Sequence, residues 1–281
     1  MRTHLDCFPC FLRQSLIALR LGTEDESLQQ SILKSTLEDI RRADTSKPPA
    51  YTTTFIHRRI RQMLGKDPFK GIKSEYNRLA LDLYPSLKNL TEKSPDPLWM
   101  STRLAIAGNV IDFGIFTSVD IEGTISRAVN SQMAVDDFRE FKDAVSSTGE
   151  ILYLADNAGE IVFDRILAET LIGMGKNVRA VVKGGPVIND ATMEDAEESG
   201  LTNVCEVIDN GSDAVGTIPG WTSPAFQETF KNARLVISKG QGNFETLTGA
   251  GKKIFFLFQS KCDVVSKELG LRKGSMLLKK S

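Results

Sequence analysis

Apolar positions change their spacing near Gly149, and the change divides the chain into two stretches with different expected architecture. Before it, apolar residues recur at three- and four-residue steps, the period of a helix with one buried face. Phe11, Leu12, Leu16 and Leu19 mark one such face, and Leu28, Ile32, Leu33, Leu37 and Ile40 a second. Residues 52–63 predict another helix after Pro48-Pro49. A longer one follows Pro68 and is expected to end before Pro85, because proline lacks the N–H a helix interior needs. Residues 98–110 are apolar enough for a buried helix. No strand is expected in the first 145 residues.

After Gly149 short continuous apolar runs alternate with helical segments. Strands are predicted over 151–155, 178–182, 204–208, 235–238 and 254–258, with helices over 160–172 and 191–199. Brief, fully apolar strands separated by helices indicate a parallel sheet covered on both faces. The expected fold is therefore α/β: an all-helical domain over 1–148, forming one wall of a cleft, followed by a Rossmann-like parallel-sheet domain over 149–281.

In such sheets ligands bind outside the carboxyl ends of the strands, so the residues after each strand carry the functional reading. Asp156-Asn157-Ala158-Gly159-Glu160 follows the first, Lys183 to Asp190 the second, and Ser238-Lys239-Gly240-Gln241-Gly242-Asn243 the fourth. Two carboxylates and an amide oxygen (Asp156, Asp190, Asn157) suit a hard divalent cation. Lys239 beside glycine N–H groups suits a phosphate. Each residue also has an ordinary structural reading: a turn at Asp156-Asn157, a helix cap at Asp190, a solvated lysine at Lys239. Asn109 and Asp112, three apart, either end a helix or project into a site. It is the joint occurrence at neighbouring strand ends that favours a site.

These segments resemble the damage-control phosphatase family, catalogued as the domain-of-unknown-function family numbered 89. The resemblance runs from Cys7-Phe8-Pro9-Cys10-Phe11 through Asp67-Pro68-Phe69, Gly108-Asn109-Val110-Ile111-Asp112-Phe113-Gly114 and the three strand-end loops. The Cys-x-x-Cys start is similar to the mostly prokaryotic branch. The resemblance implies hydrolysis of a small phosphorylated metabolite, such as a sugar phosphate. It also implies one divalent ion (Mn²⁺, Mg²⁺, Ni²⁺ or Co²⁺) on Asp156, Asn157 and Asp190, with Lys239 and Gly240 at the phosphate and Asn109 and Asp112 contributed by the helical part.

Composition narrows the alternatives. With 35 Lys+Arg against 36 Asp+Glu in 281 residues, no general field attracts nucleic acid or an anionic membrane. No apolar stretch approaches the length of a membrane span, and Met1 to Phe11 has no signal core. Four cysteines (Cys7, Cys10, Cys205, Cys262) form no disulfide framework, which predicts a cytoplasmic protein. Cys7 and Cys10 lack partners for a closed zinc site and are expected as buried thiols beside the cleft, and His57 as a packed or surface residue. A Rossmann-like methyltransferase would need more glycine in the first loop, and a phosphosugar-binding regulator would not need two carboxylates. Arg58, Arg61 and Lys73 are candidates for substrate contacts on the helical wall.

Overall fold

The computed structural model describes residues 1–110 and 121–281. Three helices open the chain: α1 (Cys7–Gly22), α2 (Glu26–Arg41) and α3 (Pro49–Leu64). The Asp25 carboxylate caps α2 by accepting from the N–H groups of Ser27 and Leu28, and Pro49 starts α3 where a missing N–H costs nothing. Their apolar faces meet in a small core around Phe11, Leu19, Ile32, Ile56 and Ile60.

Next come α4 (Lys70–Glu92), α5 (Pro97–Val110) and α6 (Ile121–Asn130). The break expected at Pro85 does not occur: α4 runs through it. Leu87 and Thr91, beyond the proline, are buried, so packing of the last turns offsets the lost hydrogen bond. A two-residue strand, β1 (Val135–Asp136), and helix α7 (Phe138–Ser146) follow. The strand is thus earlier than the patterning suggests; two residues are too few to show an alternation.

The remaining elements are β2 (Glu150–Leu154), α8 (Glu160–Gly173), β3 (Asn177–Val182), α9 (Met193–Glu198) and β4 (Glu206–Asp209), then α10 (Pro224–Asn232), β5 (Val236–Lys239), α11 (Gln241–Leu247), β6 (Ile254–Gln259), α12 (Asp263–Glu268) and β7 (Met276–Lys280). The seven strands form one sheet in the order β1-β7-β6-β5-β2-β3-β4. Every pairing is parallel except β6 with β7. The fold is α/β with a mostly parallel sheet.

Strand alternation sorts side chains onto two faces. Ile151, Tyr153, Val178, Ala180, Leu235, Ile237, Phe255 and Leu257 pack against Ala105, Phe141, Leu167 and Leu171 from α5, α7 and α8. Leu152, Leu154, Val236, Phe256 and Phe258 pack against Phe226, Phe244 and Val265 from α10, α11 and α12. Helices α5 and α8 approach closely at Gly108, where an added methyl carbon would lie 3.0 Å from Phe163 Cβ. That contact seats the end of α5 over the carboxyl ends of the strands. Among the described residues, no helix is long and apolar enough to cross a membrane.

Candidate functional site

The loops after β2 and β3 are joined by backbone hydrogen bonds. Ala158 N donates to Asn189 O at 2.9 Å, Ala191 N donates to Asp156 O at 2.7 Å, and Asn157 and Asp190 form an isolated antiparallel bridge. These bonds bring Asp190 to Asp156 and Asn157, more than thirty residues earlier in the chain, at one point of the sheet edge. All three line a cleft of about 530 Å³, within the range of small-molecule sites. Its opposite wall comes from α1 and α3 through Cys7, Cys10, Arg13, Gln14, Ala50 and Thr53. Ile188, on the same loop, has φ of 46°, a conformation that a β-branched residue adopts only under constraint.

Asn109 and Glu160 organise the carboxylates. Helix α5 continues to Val110, so Asn109 is a helical residue and not a left-handed cap. Its buried amide Nδ2 donates to Asp156 Oδ2 at 3.2 Å and to Glu160 Oε2 at 2.9 Å, while its Oδ1 accepts from Gln259 N at 3.1 Å. Asn157 Nδ2 donates to the same two oxygens at 2.7 and 3.0 Å. Glu160, the first residue of α8, thereby fixes both amides. Sequence reasoning did not select it, although an acidic first turn facing a strand end is the available signal. Asp112 lies outside the described residues.

Lys239 is placed differently from the phosphate contact expected of it. It has no exposure, and its ammonium donates to Ala105 O at 2.8 Å, Glu160 Oε1 at 2.6 Å and Asp164 Oδ1 at 2.5 Å. The cause is strand parity. Lys239 shares a face with Leu235 and Ile237, turned toward α5 and α8, and its three donors are used there. Tyr153 completes the cluster by donating to Asp164 Oδ1 at 2.7 Å. Gly240 is not a phosphate donor either, since its N–H goes to Leu257 O at 3.2 Å. With φ of +80°, it lets backbone pass the Asp156 carboxylate, which would lie 1.9 Å from an added Cβ.

Charge in the cluster is unevenly compensated. Burial pushes Asp156 well above the ordinary carboxylate range, and the neighbouring Glu160 and Asp190 push it further. Burial also raises Glu160, but the Lys239 ammonium outweighs it and leaves the group below its usual range. Asp164 is raised by burial to about 6 despite Lys239. Burial raises Asp190, with Lys183 opposing. Lys183 Nζ lies 3.3 Å from Asp190 Oδ2 but donates its hydrogen bond to Gly216 O, and that buried carboxylate oxygen has no hydrogen-bond partner.

The helical-wall candidates are also committed elsewhere. Arg58 and Arg61 both pair with Asp213, and Lys73 is buried at 2.7 Å from Asp195. His57 is buried, its ring lies near Phe69, and burial lowers its pKa to about 3. Cys7 is buried but Cys10 is exposed, because only the first faces the α1 core. Burial raises the Cys7 thiol above its ordinary pKa. Among the described residues no group of three or more His, Cys, Asp or Glu is placed to hold a metal ion. The Asp156, Asn157, Asp190 set contains two carboxylates and an amide. Its fit to a cation rests on the buried Asp190 oxygen that accepts no hydrogen bond and on the Asp156 carboxyl, raised by burial and by the neighbouring Glu160 and Asp190.

The damage-control phosphatase ARMT1-like domain model matches residues 3–277. An uncharacterised protein of Methanocaldococcus jannaschii is 36% identical over 98% of this chain and 94% of its own length. A protein of Archaeoglobus fulgidus named a damage-control phosphatase is 32% identical, covering 97% of each. A damage-control phosphatase of Pyrococcus horikoshii is 32% identical over 99% of this chain and 97% of its own. The crystal structure of a DUF89 family protein from P. horikoshii superposes with a TM-score of 0.93 at 32% identity, covering 100% of this chain and 99% of that one.

Two predictions follow from the buried charges. Replacing Lys239 by Met should leave Glu160 and Asp164 without their cation and destabilise the fold by about 3–5 kcal/mol, the usual cost of orphaning a buried partner. Urea unfolding reads this, with exposed Lys273→Met as reference; a loss under about 1 kcal/mol would contradict the buried triad. Glu245 is raised by burial to about 7, with the Gln241 hydrogen bond opposing. A carboxyl whose folded pKa is raised contributes stability at low pH that is lost as pH climbs through the folded value. Between pH 5 and pH 8 the wild type should therefore lose more stability than Glu245→Gln. Parallel curves would show that Glu245 ionises freely.

Proposed function

The chain belongs to the damage-control phosphatase ARMT1-like domain family, and from that premise we propose that it is a metal-dependent phosphomonoester hydrolase acting on a small phosphorylated metabolite, of the sugar phosphate kind. The observation that carries this reading is the convergence of Asp156, Asn157 and Asp190 in one cleft, with charge that the protein itself compensates only in part. The names borne by the relatives from A. fulgidus and P. horikoshii support the phosphatase reading. We read residues 149–281 as Rossmann-like, with β1 added to their sheet from the preceding segment, and the helices of residues 1–148 as the part that supplies the facing wall.

In this reading Asp156, Asn157 and Asp190 hold one divalent cation, Mn²⁺, Mg²⁺, Ni²⁺ or Co²⁺. When bound, such an ion supplies Lewis-acid polarisation of a phosphoryl oxygen. The remaining work falls to the chain's own groups. Asn109 holds the Asp156 carboxylate from α5 and steadies the β6 loop through Gln259. Glu160, kept ionised by Lys239, orients the Asn109 and Asn157 amides, so that neither turns freely. Lys239 acts through Glu160 and is a positioning residue. The wall from α1 and α3 narrows the cleft to small substrates.

Wild-type protein should release inorganic phosphate from sugar phosphates only when a divalent cation is supplied. Asp156→Asn should lose roughly 10²-fold or more of that turnover, because the charge stabilisation such an ion gives is worth several kcal/mol. It should also lose cation binding by calorimetry while remaining folded. Full turnover in Asp156→Asn would remove Asp156 from the site.

A further inference from the structure

Helix α4 does not reach the cleft, yet its buried face carries two polar residues one turn apart. Tyr76 and Ala80 pack against Phe163 and Ile166 of α8, as the apolar stripe of a helix should. Lys73 and Asn77, beside them, are 5% and 1% exposed. Neither lines the cleft that holds Asp156, Asn157 and Asp190. A buried asparagine needs partners for its carbonyl oxygen and its amide hydrogens. Asn77 finds them in the two segments that flank the site.

Its Oδ1 accepts from Gly159 N at 2.7 Å, and Gly159 ends the β2 loop, two residues after Asn157. Its Nδ2 donates to Asp195 Oδ1 at 3.0 Å and to Glu198 Oε2 at 2.7 Å, both on α9. Asp195 Oδ2 accepts in turn from Thr192 N at 2.8 Å and Thr192 Oγ1 at 2.7 Å, which fixes the chain two residues after Asp190. Lys73 holds the same carboxylate, 2.7 Å from Oδ2. The path from Gly159 to Thr192 thus passes through two buried side chains, and Asn77 donates only to carboxylates, which make the stronger hydrogen bonds. This is a second tie between the two loops, separate from the backbone bonds of Ala158 and Ala191.

We propose that Asn77 is a positioning residue for the cation site: its single amide sets the β2 loop against α9, and so sets Asp156 and Asn157 against Asp190. The inference rests on the metal-dependent reading above and adds to it a residue that touches neither cation nor substrate. A small hard cation tolerates little error in the placing of its oxygen ligands, so loosening one loop against the other costs affinity. The position calls for an acceptor and two donors at once, which an amide supplies. Aspartate could still accept from Gly159 N, but it would set a like charge against Asp195 and Glu198. Alanine would leave the Gly159 N–H and both carboxylates without this partner.

The test combines calorimetric binding of Mn²⁺ with amide hydrogen exchange of the metal-free protein. Asn77→Ala should weaken Mn²⁺ binding by about tenfold or more, the usual cost of losing a group that supports metal ligands. It should also speed exchange at residues 157–160 and, through α9, at 189–192. The control is Tyr84→Phe, which removes another α4–α8 bond, from Tyr84 Oη to Glu169 Oε1 at 2.6 Å, at the far end of α8. It should lose stability to urea but keep wild-type Mn²⁺ affinity and exchange in both loops. Asn77→Asp should bind Mn²⁺ as poorly as Asn77→Ala, and adding Asp195→Asn, which again sets a donor against an acceptor, should recover binding to within about threefold of wild type. Mn²⁺ binding within about twofold of wild type in both Asn77→Ala and Asn77→Asp, or an equal loss in Tyr84→Phe, would overturn the proposal. A wild type that binds no Mn²⁺ would sink the metal-dependent reading and leave the decision to exchange. Faster exchange spreading to 189–192 in Asn77→Ala would then uphold the tie, and unchanged exchange there would overturn it.

Discussion

An ammonium with no contact to water must be balanced inside the protein, and Lys239 is balanced by two carboxylates one helical turn apart on α8. This ion cluster ties together β5, the start of α8 and the Ala105 carbonyl of α5, three elements that meet beneath the cleft. Buried pairs rarely add stability over an apolar core of the same shape. What this one provides is position and charge. It keeps Glu160 ionised, and ionised Glu160 holds the amides of Asn109 and Asn157 against Asp156. Disturbing Lys239 therefore reaches the surface of the site through two hydrogen-bonded layers.

Above that layer the balance is incomplete. Asp156 and Asp190 are brought together by backbone bonds between the β2 and β3 loops; burial raises both, with Glu160 and Asp190 adding to Asp156 and Glu160 to Asp190. Lys183 partly answers Asp190, yet one of its oxygens stays without a hydrogen bond. Natural interiors satisfy nearly all such atoms, and the exceptions gather at functional sites. A cation at this point would relieve the repulsion that the polypeptide leaves, which is the physical content of the proposed metal dependence.

Much of the sheet was legible because its strands are continuous apolar runs. The segments 151–155, 178–182 and 254–258 needed no tertiary information. The convergence of Asp156, Asn157 and Asp190 followed from the rule that strand ends of a parallel sheet share an edge. Lys239 was misplaced because its burial is decided by Glu160 and Asp164, more than seventy residues earlier, and only strand parity together with the position of α8 brings them together. Two strands were hidden for other reasons: β1 is too short to show a pattern, and β7 ends in two lysines.

The account's central claim is that the cleft's excess of buried negative charge is matched by a divalent cation. Equilibrium unfolding of the wild-type protein with increasing Mn²⁺, at pH 8 and pH 5, tests it without reference to any substrate. A cation that binds only the folded site should raise stability by about 1.4 kcal/mol per tenfold excess over its dissociation constant. The gain should be larger at pH 8, where protons compete less for Asp156 and Asp190. A folded protein whose stability is indifferent to millimolar cation at both pH values would contradict the claim.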